Sequence, residues 1–416
     1  MPTYDELRLL QKLPLDMKIK RTQQRIREWV NHYGENGVYI SFSGGKDSTV
    51  LLHIARQLYP NITAVFSDTG LELPSIRNFV MAQPNVTIIK PKLNFREVVL
   101  KYGYPLFSKE VSHSIFYARK LRDLSITPPH HGKSKSSDFV GEFGEEKRRF
   151  SSIWFTRTSL TPPHLRNTQN SNPKKKGFFD RQAGGNNVSI FNKSKYLPAC
   201  QQLPFLINDI CCSVMKKKPF AKYGKESGKT AIVGTLAEES MLRTQSWLKS
   251  GCNAFDGKNA KSQPLSFWTE QDILQYIKEN NLPIADCYGE IVTVDKSGLQ
   301  YGKTLCDCGK LQCSGCQRTG CSFCAYGAGN EHKKYGKSRY EILAETQPKL
   351  YDYIMRGGEW ADNPYYDATA PEIDPVDGWK NWNVKKIWQP SANGLGMKFV
   401  FDEVNQIYGK DYIKYR

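Results

Sequence analysis

Short apolar runs alternate with amphipathic stretches over the first hundred residues and return near residue 230. Four runs have the length and β-branched content of buried strands, whereas the stretches between them repeat apolar residues at helical spacing. The predicted strands are residues 38–42, 62–67, 86–89 and 229–234, and the predicted helices are 49–56, 74–82 and 94–101. This alternation favours a doubly wound α/β fold, in which helices cover both faces of a parallel sheet. Such sheets bind ligands beyond the carboxyl ends of their strands.

The rest of the chain divides into segments of different character. Residues 269–279 predict a helix with Thr269 as its N-cap. Residues 121–200 interrupt the alternation with Pro-, Ser- and Lys-rich sequence, which indicates a basic insertion. We therefore predict an N-terminal segment of one or two helices (1–35, helical over 5–33), a nucleotide-binding α/β domain that holds the insertion (36–300), a Cys-rich segment (301–330) and a C-terminal helical cap (331–416, helical over 337–356).

A glycine pair follows the first predicted strand and leads into the first predicted helix. Glycines let the backbone turn tightly and bring its N–H groups close to an anion, and the following helix N-terminus adds unpaired donors. The spacing does not fit the Walker loop. It resembles the loop of enzymes that split ATP between its α and β phosphates, although a ligand-free strand–helix turn is the alternative. The expected phosphate ligands are Ser43, Gly44, Gly45, Lys46 and Ser48, with Asp47 as a candidate Mg²⁺ ligand.

The charge is strongly positive and unevenly distributed. The 416 residues carry a net charge of +18, and residues 119–200 hold 16 Lys and Arg against 6 Asp and Glu, a balance of +10. Such a segment favours a polyanionic partner, with nucleic acid first. The alternative is that positive charge only keeps the protein soluble and attracts an anionic nucleotide.

No apolar run approaches the length that spans a bilayer, and the first residues lack the pattern of a signal peptide. We therefore expect a cytoplasmic protein without a membrane partner. In that compartment the eleven cysteines are not expected to form a disulfide framework. Six of them lie between residues 306 and 324, which favours metal ligation.

Five motifs follow one another in an order that carries a family resemblance. They begin at Ser43 (SGGKDS), Phe66 (FSDTGLE), Cys211 (CCSVMKKKP), Gly234 (GTLAEESMLR) and Pro264 (PLSFWTEQDI). The chain resembles the phosphoadenosine phosphosulfate (PAPS) reductase family over about residues 36–330, apart from the insertion. It is similar to the phage and bacterial branch that also carries RTGCSFC, here residues 318–324.

The resemblance implies an adenine-nucleotide α-hydrolase fold and assigns roles to several side chains. Asp68, with Thr69 and Gly70 beside it, is expected to face the nucleotide or its Mg²⁺. Glu239 and Arg243 are expected on the opposite wall of the cleft, with Arg243 contacting phosphate or sulfate oxygens. Family members often have arginine where this chain has Leu236, so one anion contact is absent or supplied elsewhere. The candidates for supplying it are the lysines at 216–218, whose alternative is a solvated face.

The cysteines suggest two metal sites. The resemblance implies a 4Fe-4S cluster held by a Cys-Cys pair and a distant C-x-x-C, which here are Cys211, Cys212, Cys321 and Cys324. A second tetrahedral site, for Zn²⁺, fits the spacing of Cys306, Cys308, Cys313 and Cys316. These thiols are alternatively cluster ligands in place of the Cys-Cys pair, or carriers of persulfide sulfur.

Three functions compete. The first is an ATP-using enzyme that releases pyrophosphate, adenylates an acceptor and installs sulfur with iron–sulfur or thiol chemistry, similar to the DNA-phosphorothioation ATPase of the family. It would need a sulfur-donor or electron-donor protein. The second is a reductase that releases sulfite from PAPS or adenosine phosphosulfate (APS). An intact phosphate loop, and the absence of a cysteine after Cys324, favour the first over the second. The third is a nucleotide-sensing, nucleic-acid-binding module without turnover.

Overall fold

The computed structural model describes residues 2–119, 160, 193–255, 260–294, 310–317, 319–373 and 379–416. The predicted basic insertion lies almost entirely outside these residues. The strands of the described part are β1 Val38–Ser41, β2 Ala64–Ser67, β3 Val86–Ile89, β4 Leu106–Phe107, β5 Thr230–Val233, β6 Asn253–Ala254, β7 Lys261–Ser262, β8 Ile291–Val294, β9 Lys310–Cys313, β10 Ala325–Tyr326, β11 Glu359–Asp362 and β12 Lys386–Gln389.

Helices connect and flank these strands. They are α1 Tyr4–Gln11, α2 Leu15–Tyr33, α3 Lys46–Leu58, α4 Pro74–Met81, α5 Phe95–Tyr102, α6 Lys109–Arg119, α7 Leu197–Gln202, α8 Lys218–Ser227, α9 Met241–Ser250, α10 Glu270–Glu279, α11 Glu331–Tyr335, α12 Arg339–Thr346, α13 Pro348–Met355 and α14 Met397–Tyr408. A π-helical turn, Ser213–Lys217, leads into α8.

The chain forms two compact units, each made of two separate stretches. The first unit contains Met1–Phe95 and Cys212–Phe323, and the second contains Arg96–Cys211 and Cys324–Arg416. This division differs from the four predicted segments. The N-terminal helices belong to the first unit because Ile26 and Trp29 of α2 are fully buried in the same apolar cluster as the strands.

The first unit is built on a six-stranded sheet in the order β3-β2-β1-β5-β7-β6. All neighbours are parallel except β6, which runs antiparallel to β7 at the edge. The sheet confirms the predicted α/β class with a mainly parallel sheet. Strand order reverses at β1, because β2 and β3 extend the sheet on one side and β5 on the other. Open α/β sheets bind ligands at such a reversal.

Helix α10 is fixed to the first unit by its own N-terminal cap. Thr269 and Asp272 form a capping box, as predicted for the N-cap. The Asp272 carboxylate also accepts a 2.6 Å hydrogen bond from the buried ammonium of Lys18 in α2. Because a buried charge without a partner is costly, this pair ties α2 to the start of α10.

The second unit is organised around a buried arginine at the end of α6. The Arg119 guanidinium donates four hydrogen bonds of 2.7 to 3.0 Å to main-chain carbonyls of residues 199–205. It also lies 4.0 Å from the ring centroid of Trp382. Burial lowers the pKa of Arg119 to about 10. Two small sheets complete this unit, β4 with β10 in parallel and β11 with β12 in antiparallel pairing.

The stretch 5–33, predicted as one or two helices, is two helices, and the stretch 337–356, predicted as one helix, is also two. The stretch 5–33 breaks before Pro14, and the stretch 337–356 breaks at Gln347, where Pro348 begins α13. Proline at the first position of a helix is favourable, but it disfavours helical backbone in the residue before it. None of the helices in the described part of the chain has both the length and the apolar content of a membrane span.

Candidate functional site

The predicted phosphate loop connects β1 to α3, at the strand where the sheet order reverses. Ser41 ends β1 and Lys46 begins α3, so the loop residues between them lie at the carboxyl edge of the sheet. The first N–H groups of a helix have no partner within the helix and carry a partial positive charge. The start of α3 therefore offers donors to an anion at this edge.

Hydroxyl groups hold the loop in a closed turn. The Ser48 hydroxyl lies 3.0 Å from the Ser43 hydroxyl, accepts from the Ser43 N–H and donates to the Gly45 carbonyl. The Thr49 hydroxyl donates to the same carbonyl at 3.0 Å. These bonds stay within the loop, so the turn is preformed.

Gly44 is a position where only glycine fits. Its φ of +70° is a left-handed conformation, and a Cβ there would lie 2.7 Å from Val80 Cγ2 and 2.9 Å from Ile76 Cγ2 of α4. Gly234, just after β5, packs closely against the start of α3. A Cβ on Gly234 would lie 3.0 Å from the Asp47 carbonyl oxygen. The loop is thus packed between α4 and the end of β5.

Lys46 is buried at the base of the loop, with only 6% of its side chain exposed. Its ammonium is 3.0 Å from the Glu270 carboxylate at the start of α10, and it lies 5.6 Å from the ring centroid of Tyr288. The Tyr288 hydroxyl accepts from the Lys46 N–H and lies 2.6 Å from the Thr319 hydroxyl. Burial raises the pKa of Tyr288, so its hydroxyl keeps its proton.

Three of these partners were not predicted as site residues. Glu270 and Thr319 both lie inside motifs that carry the family resemblance, but nothing in a single sequence indicates that they approach Lys46. Tyr288 lies in no motif, and only the pairing of β8 with β9 brings its neighbourhood beside Thr319.

The second predicted binding segment follows β2, the neighbour of β1. The buried Asp68 carboxylate accepts from the Arg77 guanidinium at 3.2 Å and from the Gly70 N–H at 3.3 Å. Thr69 donates from both its N–H and its hydroxyl to the Glu72 carboxylate. These bonds hold the turn at the carboxyl edge of the sheet, next to the phosphate loop.

Asp47 and Asp68 are carboxylates at the same edge of neighbouring strands, and carboxylate oxygens suit Mg²⁺. The donor chemistry therefore fits the predicted ion. Each oxygen of Asp68 accepts one hydrogen bond and keeps a further lone pair that could ligate an ion.

Glu239 and Arg243 are paired with each other in an i, i+4 ion pair. The Glu239 carboxylate also accepts from the Leu236 N–H, at the turn that follows β5. Leu236 itself is buried in the core of the first unit. The predicted role of Arg243 toward phosphate or sulfate oxygens stays a prediction.

The first unit brings two of the predicted cluster cysteines together. Cys212 and Cys321 both lie near the Lys216 ammonium, which is 4.0 Å from the Glu72 carboxylate. Burial lowers the pKa of Lys216, but Cys321, Glu72 and Cys212 outweigh it, so the pKa is raised. Burial raises the pKa of Cys321 and the nearby Lys216 opposes that rise. Lys216 therefore places a positive charge near these two thiols.

The other two predicted cluster cysteines belong to the second unit. Cys211 is buried and is the last residue of the stretch Arg96–Cys211. The Cys324 carbonyl accepts a 3.0 Å hydrogen bond from Arg339. Arg339 in turn pairs with Glu331 at 2.9 Å. The assignment of all four cysteines to one cluster stays a prediction.

Of the predicted second metal site, Cys306 and Cys308 lie outside the described residues. Cys313 and Cys316 lie near Cys287, which was not among the predicted ligands: the Cys316 N–H donates to the Cys287 carbonyl at 2.8 Å. Burial raises the pKa of Cys316 to about 11, and Cys287 and Cys313 add to the rise. Across the described part of the chain, no three His, Cys, Asp or Glu side chains are arranged to hold a metal ion.

The sequence matches a family model described as "Phosphoadenosine phosphosulfate reductase domain" over residues 37–124 and 189–325, more than half of the chain. No curated protein matches it. Among solved structures, the chain is similar to phosphoadenylyl-sulfate (PAPS) reductase from Candida auris, in a phosphate complex, with 14% identity and a TM-score of 0.30. That likeness covers 69% of this chain and 91% of the other.

Proposed function

Since the chain belongs to the PAPS reductase family, we propose that it is an ATP-using member that cleaves ATP between the α and β phosphates. The observation that carries the proposal is the complete, preformed loop Ser43–Ser48 at the strand reversal, with buried Lys46 at its base. A pyrophosphate needs a cation and several N–H donors in one place, which this loop supplies.

Lys46 exchanges partners when ATP binds. Its ammonium leaves the half-exposed Glu270 carboxylate and pairs with oxygens of the β and γ phosphates. The N–H groups at the start of α3 and the hydroxyls of Ser43 and Ser48 surround the same phosphates. The phosphate negative charge then replaces the carboxylate as the counter-charge for Lys46, so that its buried charge stays compensated.

The reaction is nucleotidyl transfer. An acceptor oxygen attacks the α-phosphorus, with loss of a proton where the acceptor is a hydroxyl. The bond from that phosphorus to the bridging oxygen breaks, and the electron pair leaves with pyrophosphate. Asp47 and Asp68 would hold Mg²⁺, which neutralises charge on the leaving pyrophosphate. Sulfide from the donor protein then attacks the adenylated acceptor and displaces AMP, which leaves with the acceptor's original oxygen, so that sulfur replaces that oxygen.

Cys212 and Cys321 are the proposed link to sulfur chemistry. They lie near Lys216, and Lys216 pairs with Glu72, whose carboxylate holds the turn after Asp68. Lys216 opposes, without cancelling, the rise that burial causes in the pKa of Cys321, and the thiolate is the form that ligates iron and attacks sulfur. A 4Fe-4S cluster shared with Cys211 and Cys324 remains part of the proposal, as does a sulfur-donor or electron-donor protein.

We propose nucleic acid as the acceptor. The net charge of +18, with +10 of it between residues 119 and 200, supports a polyanionic substrate. The zinc site at Cys306, Cys308, Cys313 and Cys316 also stays a prediction.

A sulfonucleotide reductase that releases sulfite from PAPS or APS is the second candidate. The position of Cys321 and Cys212 beside the Asp68 turn favours it, because a thiol near the nucleotide is what sulfite release requires. A nucleotide-sensing module without turnover is the third.

One experiment separates the three. Anaerobically purified full-length protein is incubated with Mg²⁺ and labelled ATP, with and without single-stranded and duplex DNA and RNA, and separately with PAPS and a thiol reductant. Pyrophosphate from ATP without sulfite from PAPS is the expected result. Sulfite from PAPS without pyrophosphate from ATP would establish the reductase, and nucleotide binding without either product would establish the sensor.

Two lysine variants test whether pyrophosphate release depends on Lys46. Lys46→Met should abolish pyrophosphate release, because the variant lacks the cation of the loop. Lys20→Met is the matched control, because Lys20 is 73% exposed on α2 and pairs with Asp16 of its own helix. Equal pyrophosphate release by both variants would refute the assignment of Lys46.

A further inference from the structure

The first unit contains a second concave site, formed by α1, α2, α9 and the residues around β6. It is an open cleft of about 610 Å³. Arg21 and Arg25 of α2 line one side, and Trp247, Cys252 and Phe255 line the other. None of the residues proposed to bind ATP lines it.

Within the described part of the chain, Arg21 has no acidic side chain paired with it. It makes no hydrogen bond or ion pair with another described residue, and its Nε is a buried donor without an acceptor. Arg25, one turn along the same helix, pairs with Glu28 at 2.6 Å. Since buried donors normally have an acceptor, the Arg21 Nε is a donor that a ligand oxygen in the cleft could satisfy, and the guanidinium charge favours an anion there.

A buried indole N–H lines the same cleft. Trp247 is 4% exposed, and its indole Nε1 has no hydrogen-bond partner of normal geometry. This N–H lies beside the Cys252 thiol, which also accepts a 3.4 Å hydrogen bond from the Ser266 hydroxyl. Burial raises the pKa of Cys252, and Ser266, Trp247 and the two arginines oppose the rise without cancelling it. The cleft therefore contains donors and positive charge, but its thiol stays neutral.

The other residues that line the cleft restrict which kinds of ligand can bind there. Glu6 is the acidic side chain of the lining, and its carboxylate already accepts a 2.7 Å hydrogen bond from the Thr3 N–H in the cap of α1. Leu9, Leu10 and Phe255 supply apolar walls. A cleft with a few polar groups on an apolar lining is typical of small-molecule sites.

We propose that this cleft binds a small organic anion, a carboxylate or sulfonate on an apolar body, with Arg21 as its main charged contact. The anion would accept from the Arg21 guanidinium, and its apolar body would lie against Phe255 and the leucines of α1. The inference does not depend on the proposed ATP reaction.

The test uses benzoate, with benzyl alcohol as a neutral probe of similar shape, titrated into the full-length protein by calorimetry. Benzoate should bind at least about tenfold more tightly than the alcohol, because a charge-assisted hydrogen bond is stronger than a neutral one. Arg21→Gln should weaken benzoate binding about tenfold or more and leave the alcohol unchanged. Arg27→Gln, an exposed position on the same helix, should change neither. Equal affinities for the two probes, or an unaffected Arg21→Gln, would overturn the proposal.

A second measurement remains informative if Arg21→Gln does not fold. In the unaltered protein, benzoate should slow alkylation of Cys252 by iodoacetamide without slowing alkylation of Cys287, which does not line the cleft. Benzoate binding should persist in Lys46→Met, and its loss there would place the anion at the phosphate loop and refute the cleft.

Discussion

Lys46 and Glu270 form an ion pair of 3.0 Å across 224 residues of sequence, and this pair holds the loop lysine in place. The lysine is 6% exposed and the carboxylate 49% exposed. The pair is therefore asymmetric: Lys46 needs a counter-charge inside the protein, whereas water can solvate Glu270. A phosphate that enters the loop competes with the carboxylate for the lysine.

Glu270→Gln should strengthen ATP binding about two- to fivefold, because the competing carboxylate is lost and a half-exposed pair contributes only about 0.5–1 kcal/mol. The ligand-free protein should become slightly less stable. Calorimetric titration with ATP and thermal unfolding measure the two effects. Glu279→Gln, at the other end of α10, is the control and should alter neither. Unchanged or weaker ATP binding in Glu270→Gln would contradict the exchange of partners.

Gly44→Ala and Gly70→Ala separate backbone strain from steric overlap. Both glycines have a φ of +70°, but a Cβ at Gly70 meets nothing within 4 Å, whereas one at Gly44 overlaps Val80 and Ile76. Gly70→Ala should cost about 1–2 kcal/mol of unfolding free energy, and Gly44→Ala at least about 1 kcal/mol more. Urea unfolding measures both. Equal losses would mean that α4 moves aside easily.

The stability of the first unit should depend on pH through His53 of α3. Its Nδ1 lies 2.8 Å from the Tyr276 hydroxyl of α10, and burial lowers the pKa of His53. The unfolded chain binds a proton near the ordinary pKa of about 6.5, while the folded protein binds it only at lower pH. This contribution is therefore complete above pH 6.5 and is lost as pH falls below it.

His53→Gln should reduce the loss of stability between pH 7.5 and pH 5. Urea midpoints of the variant and the unaltered protein at both pH values give the comparison, because all other titrating groups contribute equally to the two proteins. A loss of the same size in both would show that His53 does not titrate with folding.

Arg119→Lys should destabilise the second unit by about 2–4 kcal/mol. The ammonium of lysine does not reproduce the fork that reaches four carbonyls, and each buried carbonyl left without a donor costs about 1 kcal/mol or more. Arg356→Lys in the same unit should be neutral, since Arg356 is 58% exposed. Denaturant unfolding, followed by circular dichroism, is the measurement.

The pattern of apolar residues in the sequence predicted correctly the strands that are most deeply buried. Strands β1 and β2 lie where the apolar runs predicted them, because both faces of a central parallel strand are buried. Strands β3 and β5 are only partly buried, but they also lie where their runs of β-branched residues predicted them. Strands β6 and β7 have two residues each, too few to show a periodicity. The break before α13 was missed because apolar residues continue across Pro348.

The site was predictable in its loop and not in its surroundings. The residues of Ser43–Ser48 are contiguous, and their chemistry is local. Glu270 begins α10, and Tyr288 lies between α10 and β8. Only the tertiary fold brings these two residues to Lys46. For the same reason the spacing of Cys313 and Cys316 did not indicate Cys287, which reaches them through the β8–β9 hairpin.

The contact of Gly234 with Asp47 has a consequence for the order of synthesis. Strand β1 and its neighbour β5 are paired in register from Val38 with Thr230, so nearly two hundred residues are made between them. At about 5–20 residues per second, roughly ten to forty seconds pass between the emergence of the two strands from the ribosome. During that interval α3 can form, but the side of the turn that meets Gly234 is open to water. A chain that is released before residue 230 therefore contains the whole nucleotide motif and lacks the strand that completes its pocket.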